Sequence, residues 1–503
     1  MEYILLKNNG AVPFKNIPEL DYKAFFSLNT VLVAGHPQRH CVTYHGIPSG
    51  EKTLLICCIA DDTTGEIMVS SCLVRKGQEL EALSAQVPGF ERFEREIHEN
   101  FGIHFLNHPW LKPVRYPKNR ADHSQTIANY PFYAMDSDEL HEVGVGPIHA
   151  GVIEPGHFRF ICNGEQILHL EIQLGYQHRG VEALFLEKKG LMQRVMLAES
   201  IAGDTVAGHT SAFSALWETL SKVSISEDIA FSRTVALEIE RMAIHTGDMA
   251  ALCTDVAYQL GSAVFGRLRT PLVNFMQEWG GNRLGKGLIR PGRNPYPFTE
   301  ALRLRLLTIL TAYERDFEEM SAMLFRLPSA LSRFERTGVV TYDDVVSIGA
   351  VGMSARMSGL NRDIRSSHPT LLYPELQHQP VIKHHGDVYS RLQIRREEIR
   401  QSMGYLRKLL EKVPENPSLG SPQRTTFTGL RPCTFGISLT EGWRGEICHC
   451  AVTDEKGELR HYKVKDPSFH NWMALALSVR NNEISDFPIC NKSFNLSYCG
   501  HDL

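Results

Sequence analysis

The first part of the chain alternates short β-rich runs with one helical stretch. The β-rich runs are TVLVAG, KTLLICCIA and GEIMVSSCLV, and the helical stretch is LEALSAQVPGFERFEREIHENFG. This mixture predicts a small α+β domain over residues 1–118. A polar stretch with loop character comes next, and we place a linker at residues 119–145.

The pattern changes over residues 146–503, where a hairpin precedes long helices. FRFIC and ILHLEIQLG flank Asn163-Gly164, a strong hairpin signal, and the second run alternates apolar with polar residues. Amphipathic helical stretches are predicted at 181–222, 228–266, 299–327 and 388–412. After a Pro/Ser/Thr-rich segment at 414–431, short strands return. We therefore predict an α+β protein, in which a long-helix bundle carries capping β elements.

Composition and charge exclude several function classes. The formal net charge is −4, which gives no general attraction to nucleic acid or an anionic membrane. The chain lacks an apolar run of the roughly 18 residues that span a bilayer, and MEYILLKNNG lacks the features of a signal peptide. We therefore expect no direct membrane span, and any link to a membrane must come through other subunits.

Cysteine usage points to reduced thiols. Eleven cysteines are scattered along the chain, and no CxxC pair occurs. An odd number without a leader favours a cytosolic protein. The adjacent pair Cys57-Cys58 lies in an apolar run, which predicts a buried strand rather than a metal site.

One predicted helix carries three chemically active residues on a single face. Glu238, Arg241 and His245 are spaced i, i+3 and i+7, with Asp248 and Asp255 further along. Such a row could relay protons or orient a ligand, or it could be a buried ion-pair network that joins helices.

Two further segments offer candidate residues. In GYQHRGVEALF, Arg179 and Glu182 follow His178 at a helix start, where a carboxylate suits the helix dipole. In AESIAGDTVAGHT, Asp204 and His209 lie in an apolar helical run, where a histidine is either a ligand or a satisfied core residue. Nucleotide-binding, metalloprotease and serine-hydrolase motifs are absent from the sequence.

The final residues, SFNLSYCGHDL, raise the question of a metal. Cys499, His501 and Asp502 lie close together at what we expect to be a mobile end. The segment is a metal site, the remnant of one, or a surface end. A metal would need further ligands, such as His209 or Asp204.

Several segments together resemble a known family. They are GPIHAGVIEPGHFRF, GYQHRGVE, EIERMAIH, SGLNRDIRSSHP and GDVYSRLQIRREEIRQS. They resemble the large subunit of group 4 membrane-bound nickel–iron hydrogenases of the formate-hydrogenlyase type, and equally the quinone-site subunit of respiratory complex I. FEREIHENFGIHFLNHPWLKP resembles the small accessory subunit that complex I carries beside it. The resemblance implies a fusion of the two and a hydrogenase-large-subunit fold for residues 146–503.

The hydrogenase resemblance implies four thiolate ligands for nickel and iron. Their positions fall here on Ala202, Thr205, Ser497 and Gly500, which we call the ligand-equivalent positions. Soft sulfur supports the nickel redox states, and these four residues cannot replace it. The resemblance therefore implies a chain without a nickel–iron centre, whose last residues are a remnant, and a true hydrogenase is disfavoured.

The complex I resemblance implies a histidine and a tyrosine at a quinone head group. Ile153 falls at the histidine position, and Ile201 or Ala202 at the tyrosine position. His149 and His157 lie near enough in sequence to substitute. Asp255 matches the aspartate that supports the quinone histidine.

The resemblance implies a peripheral-arm subunit of a complex I-like, energy-converting oxidoreductase. We expect an iron–sulfur small subunit and a membrane arm with antiporter-like subunits as partners. We expect no cofactor in this chain, iron–sulfur clusters in a partner, and attachment to the cytoplasmic face of the membrane through partners. A rebuilt quinone-reducing site and a non-catalytic assembly subunit remain as alternatives.

Overall fold

A computed structural model describes residues 2–149, 151, 153–412 and 425–503. Ala150 and Val152, within the motif GPIHAGVIEPGHFRF, lie outside the described residues, as does the Pro/Ser/Thr-rich segment up to residue 424. The strands are β1 Ile4–Leu6, β2 Gly10–Pro13, β3 Glu19–Leu20, β4 Arg39–Ser49, β5 Lys52–Asp61, β6 Glu66–Arg75, β7 Glu79–Glu81, β8 His104–Leu106, β9 His141–Val145, β10 His157–Asn163, β11 Gln166–Gln173, β12 Thr434–Gly442, β13 Gly445–Thr453 and β14 Leu459–Lys465.

The helices include both short and long members. They are α1 Tyr22–Val33, α2 Glu91–Phe101, α3 Val181–Glu187, α4 Leu191–Ala198, α5 Val206–Ser221, α6 Glu227–Asp255, α7 Gln259–Gly280, α8 Glu300–Leu324, α9 Pro328–Phe334, α10 Tyr342–Ser347, α11 Met353–Arg356, α12 Ile364–Ser367, α13 Tyr373–Leu376, α14 Val388–Lys412, α15 Ser468–Ser478, α16 Phe487–Phe494 and α17 Tyr498–Asp502. In the part of the chain that is described, none of them combines the length and apolarity needed to cross a bilayer.

The N-terminal region is built on the sheet β1-β6-β5-β4, with β3 beside β6. Strand β5 is buried on both faces because its side chains alternate between two cores. Cys57 packs against α1 and α2, whereas Cys58 faces the sheet formed by β12 and β13. The predicted buried strand at these two cysteines is therefore confirmed.

The N-terminal region is joined to the C-terminal region by a shared sheet. Strand β2 pairs antiparallel with β12, which completes the order β14-β13-β12-β2. The predicted hairpin is also confirmed, because β10 and β11 pair with Asn163 opposite Gln166. The two turn residues are Gly164 and Glu165, one position later than Asn163-Gly164, and Gly164 has the positive φ that the turn requires.

Two predicted helical stretches were too long. The stretch predicted at 181–222 is three helices, α3, α4 and α5, separated by loops that contain Gly190 and Gly203. The stretch predicted at 228–266 is interrupted between α6 and α7, where Ala257 has a φ of 57°. Both breaks place residues in conformations that a continuous helix does not allow. The stretches predicted at 299–327 and 388–412 are confirmed as α8 and α14.

Helix α6 lies at the centre of the helical bundle. It contacts α5, α7, α14 and α16, and nearly all of its residues are buried. The sequence pattern predicted an amphipathic helix here, and that prediction is wrong for α6. Its polar residues are buried as well, because they are paired inside the protein. The combination of sheets with this bundle confirms the predicted α+β class.

Candidate functional site

The ligand-equivalent positions lie in the protein interior. Ala202, Thr205 and Ser497 are buried, and the Ser497 hydroxyl accepts a hydrogen bond from the Gly500 N–H at 2.9 Å. A Cβ atom at Gly500 would lie 2.7 Å from the carboxylate of Asp466, closer than side-chain carbons approach. The Asp466 carboxylate therefore occupies the space that a ligand side chain at position 500 would need.

Arg444 closes the same site from the turn between β12 and β13. Its guanidinium donates to both carboxylate oxygens of Asp204, at 2.7 and 2.6 Å, and to the Thr205 hydroxyl at 3.0 Å. It also donates to the carbonyl of Asn495 at 2.5 Å. A forked ion pair of this kind is a strong and directional contact. Arg444 thus ties the loop before α5 to the loop before α17.

His209 is part of a buried hydrogen-bonded chain. Its Nε2 lies 2.9 Å from Asp466 Oδ2, and its Nδ1 lies 3.1 Å from Nε2 of His449. The other ring nitrogen of His449 lies 2.7 Å from the hydroxyl of Tyr462. Although burial opposes ionisation, the hydrogen bond from His209 and the charge of Arg444 lower the pKa of Asp466 to about 2.

The C-terminal segment is not a mobile or surface end. Asp502 is buried and accepts hydrogen bonds from the N–H groups of Gly175 and Gln177 at 2.8 and 2.9 Å. Arg115 of the N-terminal region donates to the carbonyl of His501 at 2.6 Å. These contacts hold the segment between two regions of the chain, which sequence patterns could not reveal.

The cluster expected at the C-terminal segment does not have the arrangement of a metal site. Burial raises the pKa of the Cys499 thiol to about 12, whereas a metal needs the thiolate. His501 bonds to Asp502 at 2.9 Å, and His209 is engaged by Asp466. Within the described ranges, no three His, Cys, Asp or Glu side chains are grouped to hold a metal. The residues present do not fit the nickel–iron centre of the hydrogenases that the chain resembles.

The predicted residues of GYQHRGVEALF connect backbone segments. Arg179 donates to the carbonyls of Ser200, Ile201 and Cys499, at 2.6 to 3.0 Å. Glu182 lies in the first turn of α3 as predicted, but its carboxylate accepts from the N–H of Val464 at 3.0 Å. Arg179 therefore fixes backbone next to the ligand-equivalent positions, whereas Glu182 joins α3 to β14.

The structure does not bring the proposed quinone residues together through hydrogen bonds. His149 bonds to the carbonyl of Gly156 at 2.8 Å, and His157 bonds to the carbonyl of Gly146 at 3.1 Å. Asp255, expected to support a histidine, instead pairs with Lys492 at 2.7 Å. Ile153 is solvent-exposed.

The predicted face of α6 is confirmed and lies in the core. The Arg241 guanidinium lies 3.5 Å from Glu238, and His245 Nε2 lies 2.7 Å from Glu398 of α14. Asp248 continues the row by pairing with Arg395 of α14 at 2.8 Å. The row is therefore part of a buried ion-pair network.

Further charged residues, missed by the sequence analysis, complete the network. We call the set the arginine–carboxylate cluster, and it comprises Arg241, Arg356, Arg365, Glu238, Asp363, Glu398 and Glu441. Burial raises the pKa of the Glu398 carboxyl, but Arg356, Arg365 and Arg241 outweigh it and hold that pKa well below its usual range. At Glu441, burial and the charge of Asp363 prevail and raise the pKa to about 7.

Glu240 was also missed, and it lies beside the ligand-equivalent positions. Its carboxylate accepts the N–H groups of Ala207 and Gly208 at the start of α5, at 2.7 and 3.2 Å. Despite these hydrogen bonds, burial raises the pKa of Glu240 to about 8. The residue directly before Arg241 is therefore a proton-holding group near neutral pH.

Two family matches divide the chain. Residues 261–502 match the family described as respiratory-chain NADH dehydrogenase, 49 kDa subunit, and residues 18–126 match the 30 kDa subunit family. The chain is a fused 30 kDa-type and 49 kDa-type protein. The resemblance stated from the sequence motifs is confirmed.

Relatives of this fused chain come from both branches of the resemblance. Hydrogenase-4 component G of Escherichia coli is 24% identical over 86% of this chain and 77% of that protein. The C/D subunit of the NADH-quinone oxidoreductase of Phocaeicola vulgatus is 25% identical over 84% of this chain and 86% of that protein. A chain from the structure of membrane-bound sulfane sulfur reductase, an archaeal respiratory membrane complex, shares the fold. Its TM-score is 0.68 at 19% identity, over 74% of this chain and all of that one.

The fused chain keeps the fold but fills the ligand-equivalent positions with its own charged groups. The sequence analysis identified Asp204 and His209. In the structure, Asp204 pairs with Arg444 and His209 bonds to Asp466. Arg444 and Asp466 lie more than 200 residues further along the chain, next to strands. The sequence carries no local signal for these two residues, because their position depends on how β12 to β14 pack on α5.

Proposed function

We propose that this chain is a peripheral-arm subunit of a complex I-like, energy-converting, membrane-associated oxidoreductase that works without a nickel–iron centre. The observation that carries the proposal is the closed site. Asp466 occupies the space beside Gly500, and Arg444 binds Thr205, so the interior is complete without metal. The relatives, which are hydrogenase and NADH-quinone oxidoreductase subunits, support the type of complex.

The chain would act through partners, because the described residues offer no arranged metal ligands. We propose an iron–sulfur small subunit as the electron-carrying neighbour and a membrane arm with antiporter-like subunits as the ion-translocating part. Attachment to the cytoplasmic face of the membrane would then come from those subunits. The fold shared with a chain of an archaeal respiratory membrane complex supports this arrangement.

The arginine–carboxylate cluster gives the chain a physical means of coupling. A fully buried set of charges in a low-dielectric interior responds strongly to one added or removed charge. Glu441 and Glu240, whose pKa values are raised to about 7 and about 8, would change protonation state near neutral pH. We propose that electron transfer in a partner is coupled through these residues to ion translocation.

The test is purification of the intact complex by an affinity tag on this chain, from membranes of its native host in mild detergent. We expect an iron–sulfur subunit and antiporter-like membrane subunits to co-purify, and nickel to be far below one atom per chain. Recovery of the chain without partners would contradict the proposal. So would stoichiometric nickel, or hydrogen evolution by the purified complex.

The same preparation separates the alternatives. Protection of His149 or His157 against chemical modification by a quinone analogue would establish a rebuilt quinone site. Loss of assembly on deletion of the chain, with full turnover in a Glu238→Gln and Arg241→Met variant, would establish a structural subunit. We expect neither result, because these histidines bond to backbone carbonyls and these two charges belong to the cluster.

A further inference from the structure

A cavity of about 540 Å³ lies where the N-terminal region meets the C-terminal region. Its wall includes Glu96 and Phe101 of α2, Glu182 of α3, and Tyr462 and Lys463 of β14. We call it the junction cavity. Lys463 bridges the carboxylates of Glu96 and Glu182, at 2.6 and 3.0 Å, and so joins the two regions at this wall. A cavity of this size with charged walls is large enough to hold water.

The hydrogen-bonded chain from His209 ends at a residue of the cavity wall. That residue is Tyr462, whose side chain is buried and whose hydroxyl lies 2.7 Å from Nδ1 of His449. At the other end, the Asp466 carboxylate lies against Gly500. Three hydrogen bonds of 2.7, 3.1 and 2.9 Å join Tyr462, His449, His209 and Asp466, and so lead from the cavity wall to one of the ligand-equivalent positions.

The donors and acceptors along the chain determine which nitrogen of each imidazole carries a proton. The ionised Asp466 only accepts, so His209 donates from Nε2 and, when neutral, accepts at Nδ1. His449 then donates from Nε2 and accepts at Nδ1 from the Tyr462 hydroxyl. If both ring nitrogens of His209 carried a proton, its Nδ1 would donate to His449 Nε2, and His449 Nδ1 would donate to the Tyr462 oxygen. The hydroxyl proton of Tyr462 would then have no acceptor. The neutral order satisfies every buried group.

The surroundings of His449, Tyr462 and Asp466 fit that order. Burial lowers the pKa of His449 well below its usual range, and burial raises the pKa of Tyr462. At Asp466, the charge of Arg444 and the N–H of Ser468 favour the carboxylate. The charge of Glu182 raises the pKa of Tyr462, and the charge of Arg194 lowers it. The ring of Phe185 stacks on the phenol ring, with the two ring centroids 4.1 Å apart.

We propose that Tyr462, His449, His209 and Asp466 form a proton-transfer path between the junction cavity and the buried Asp466. A proton that enters at the Tyr462 oxygen is balanced by three transfers. The Tyr462 proton moves to His449 Nδ1, the His449 Nε2 proton moves to His209 Nδ1, and the His209 Nε2 proton moves to Asp466. Both imidazoles end neutral, Asp466 becomes a carboxylic acid, and no electron moves. The path goes beyond the proposed function and needs no partner subunit.

The test measures exchange of imidazole protons with water in the full chain, deuterated and labelled with ¹⁵N-histidine. We expect Nε2–H tautomers at His209 and His449. We expect their protons to exchange with water faster than the Nε2–H of His245, which is equally buried and bonds to Glu398. Signals are assigned by their loss in His209→Gln and His449→Gln.

Removal of the phenol oxygen provides the decisive comparison. Tyr462→Phe should slow exchange at both histidines by about tenfold or more, because exchange then requires local opening. Tyr313→Phe is the matched control, since Tyr313 is equally buried but bonds to Thr246. An Nδ1–H tautomer at either histidine, or unchanged exchange in Tyr462→Phe, would overturn the path. If that variant does not fold, His449→Gln replaces it, and unchanged exchange at His209 would be equally decisive.

Discussion

Replacement of Glu398 by glutamine tests whether the arginine–carboxylate cluster stabilises the protein. Glu398 is fully buried, and its carboxylate lies 2.7 Å from Arg356, Arg365 and His245. Glutamine keeps the shape and removes the charge. The two arginines would then remain buried with one fewer counter-charge, which is the costly consequence of breaking a buried ion pair.

The expected cost follows from the contacts. Removal of one partner from a buried pair costs about 3–5 kcal/mol. Glu441, 2.9 Å from Arg356, has a pKa of about 7 and can release its proton to restore one negative charge. A pKa decrease of about one unit there would return roughly 1.4 kcal/mol. We therefore expect Glu398→Gln to lower the free energy of unfolding by about 2–4 kcal/mol at pH 7.

Urea unfolding of the purified chain, followed by tryptophan fluorescence and circular dichroism, measures the effect. Glu397→Gln is the matched control, because Glu397 is the neighbouring residue of α14 and its pair with Arg400 is partly solvent-exposed. Its loss should cost less than about 1 kcal/mol. Equal effects of the two substitutions, or a Glu398→Gln cost below about 1 kcal/mol, would refute the reasoning.

Three further predictions concern the site itself. Gly500→Ala should cost about 1–3 kcal/mol in urea unfolding because its methyl group meets Asp466, whereas Gly404→Ala, in an open position of α14, should stabilise by up to about 1 kcal/mol. Glu240 has a pKa of about 8 in the folded protein, so the folded protein keeps a proton that the unfolded chain releases above the ordinary pKa of glutamate. The stability of the protein therefore falls as the pH rises to 8. In thermal unfolding between pH 5 and 9, the stability of Glu240→Gln should fall less than that of the wild type. Arg444→Met should raise the pKa of Asp466 above about 2, so that acid unfolding begins at a higher pH than in the wild type.

Sequence patterns predicted contacts within an element better than contacts between elements. The spacing of Glu238, Arg241 and His245 placed them on one helix face, because helical geometry fixes which residues are neighbours. The hairpin predicted from Asn163-Gly164 was equally local, and its turn lies one residue later, at Gly164 and Glu165. The same patterns joined α6 to α7, since apolar periodicity continues through a short break that only backbone dihedral angles reveal.

The remaining parts of the site depend on long-range packing. Arg356, Arg365 and Glu398 meet α6 from segments more than 100 residues away. The context of Glu398, QIRREEIRQS, resembles a solvent-exposed charged helix. Burial of residues 497–503 depends on Arg115 and on residues 175–180, which approach from two other regions. Motif resemblance assigned the ligand-equivalent positions, but it carried no information about their burial or about the side chains that pack beside them.

The pairing of buried groups explains how the fold is stable with Ala202, Thr205, Ser497 and Gly500 at the ligand-equivalent positions. Loss of a buried metal would leave polar groups around it without partners, and unpaired buried groups are costly. Here Arg444 binds Asp204 and Thr205, and Asp466 binds His209, so the interior around the ligand-equivalent positions is paired. A return of four cysteines alone would therefore not restore a metal centre. Asp466 would still occupy the space at position 500, so ligand restoration would first require a smaller, uncharged residue at position 466.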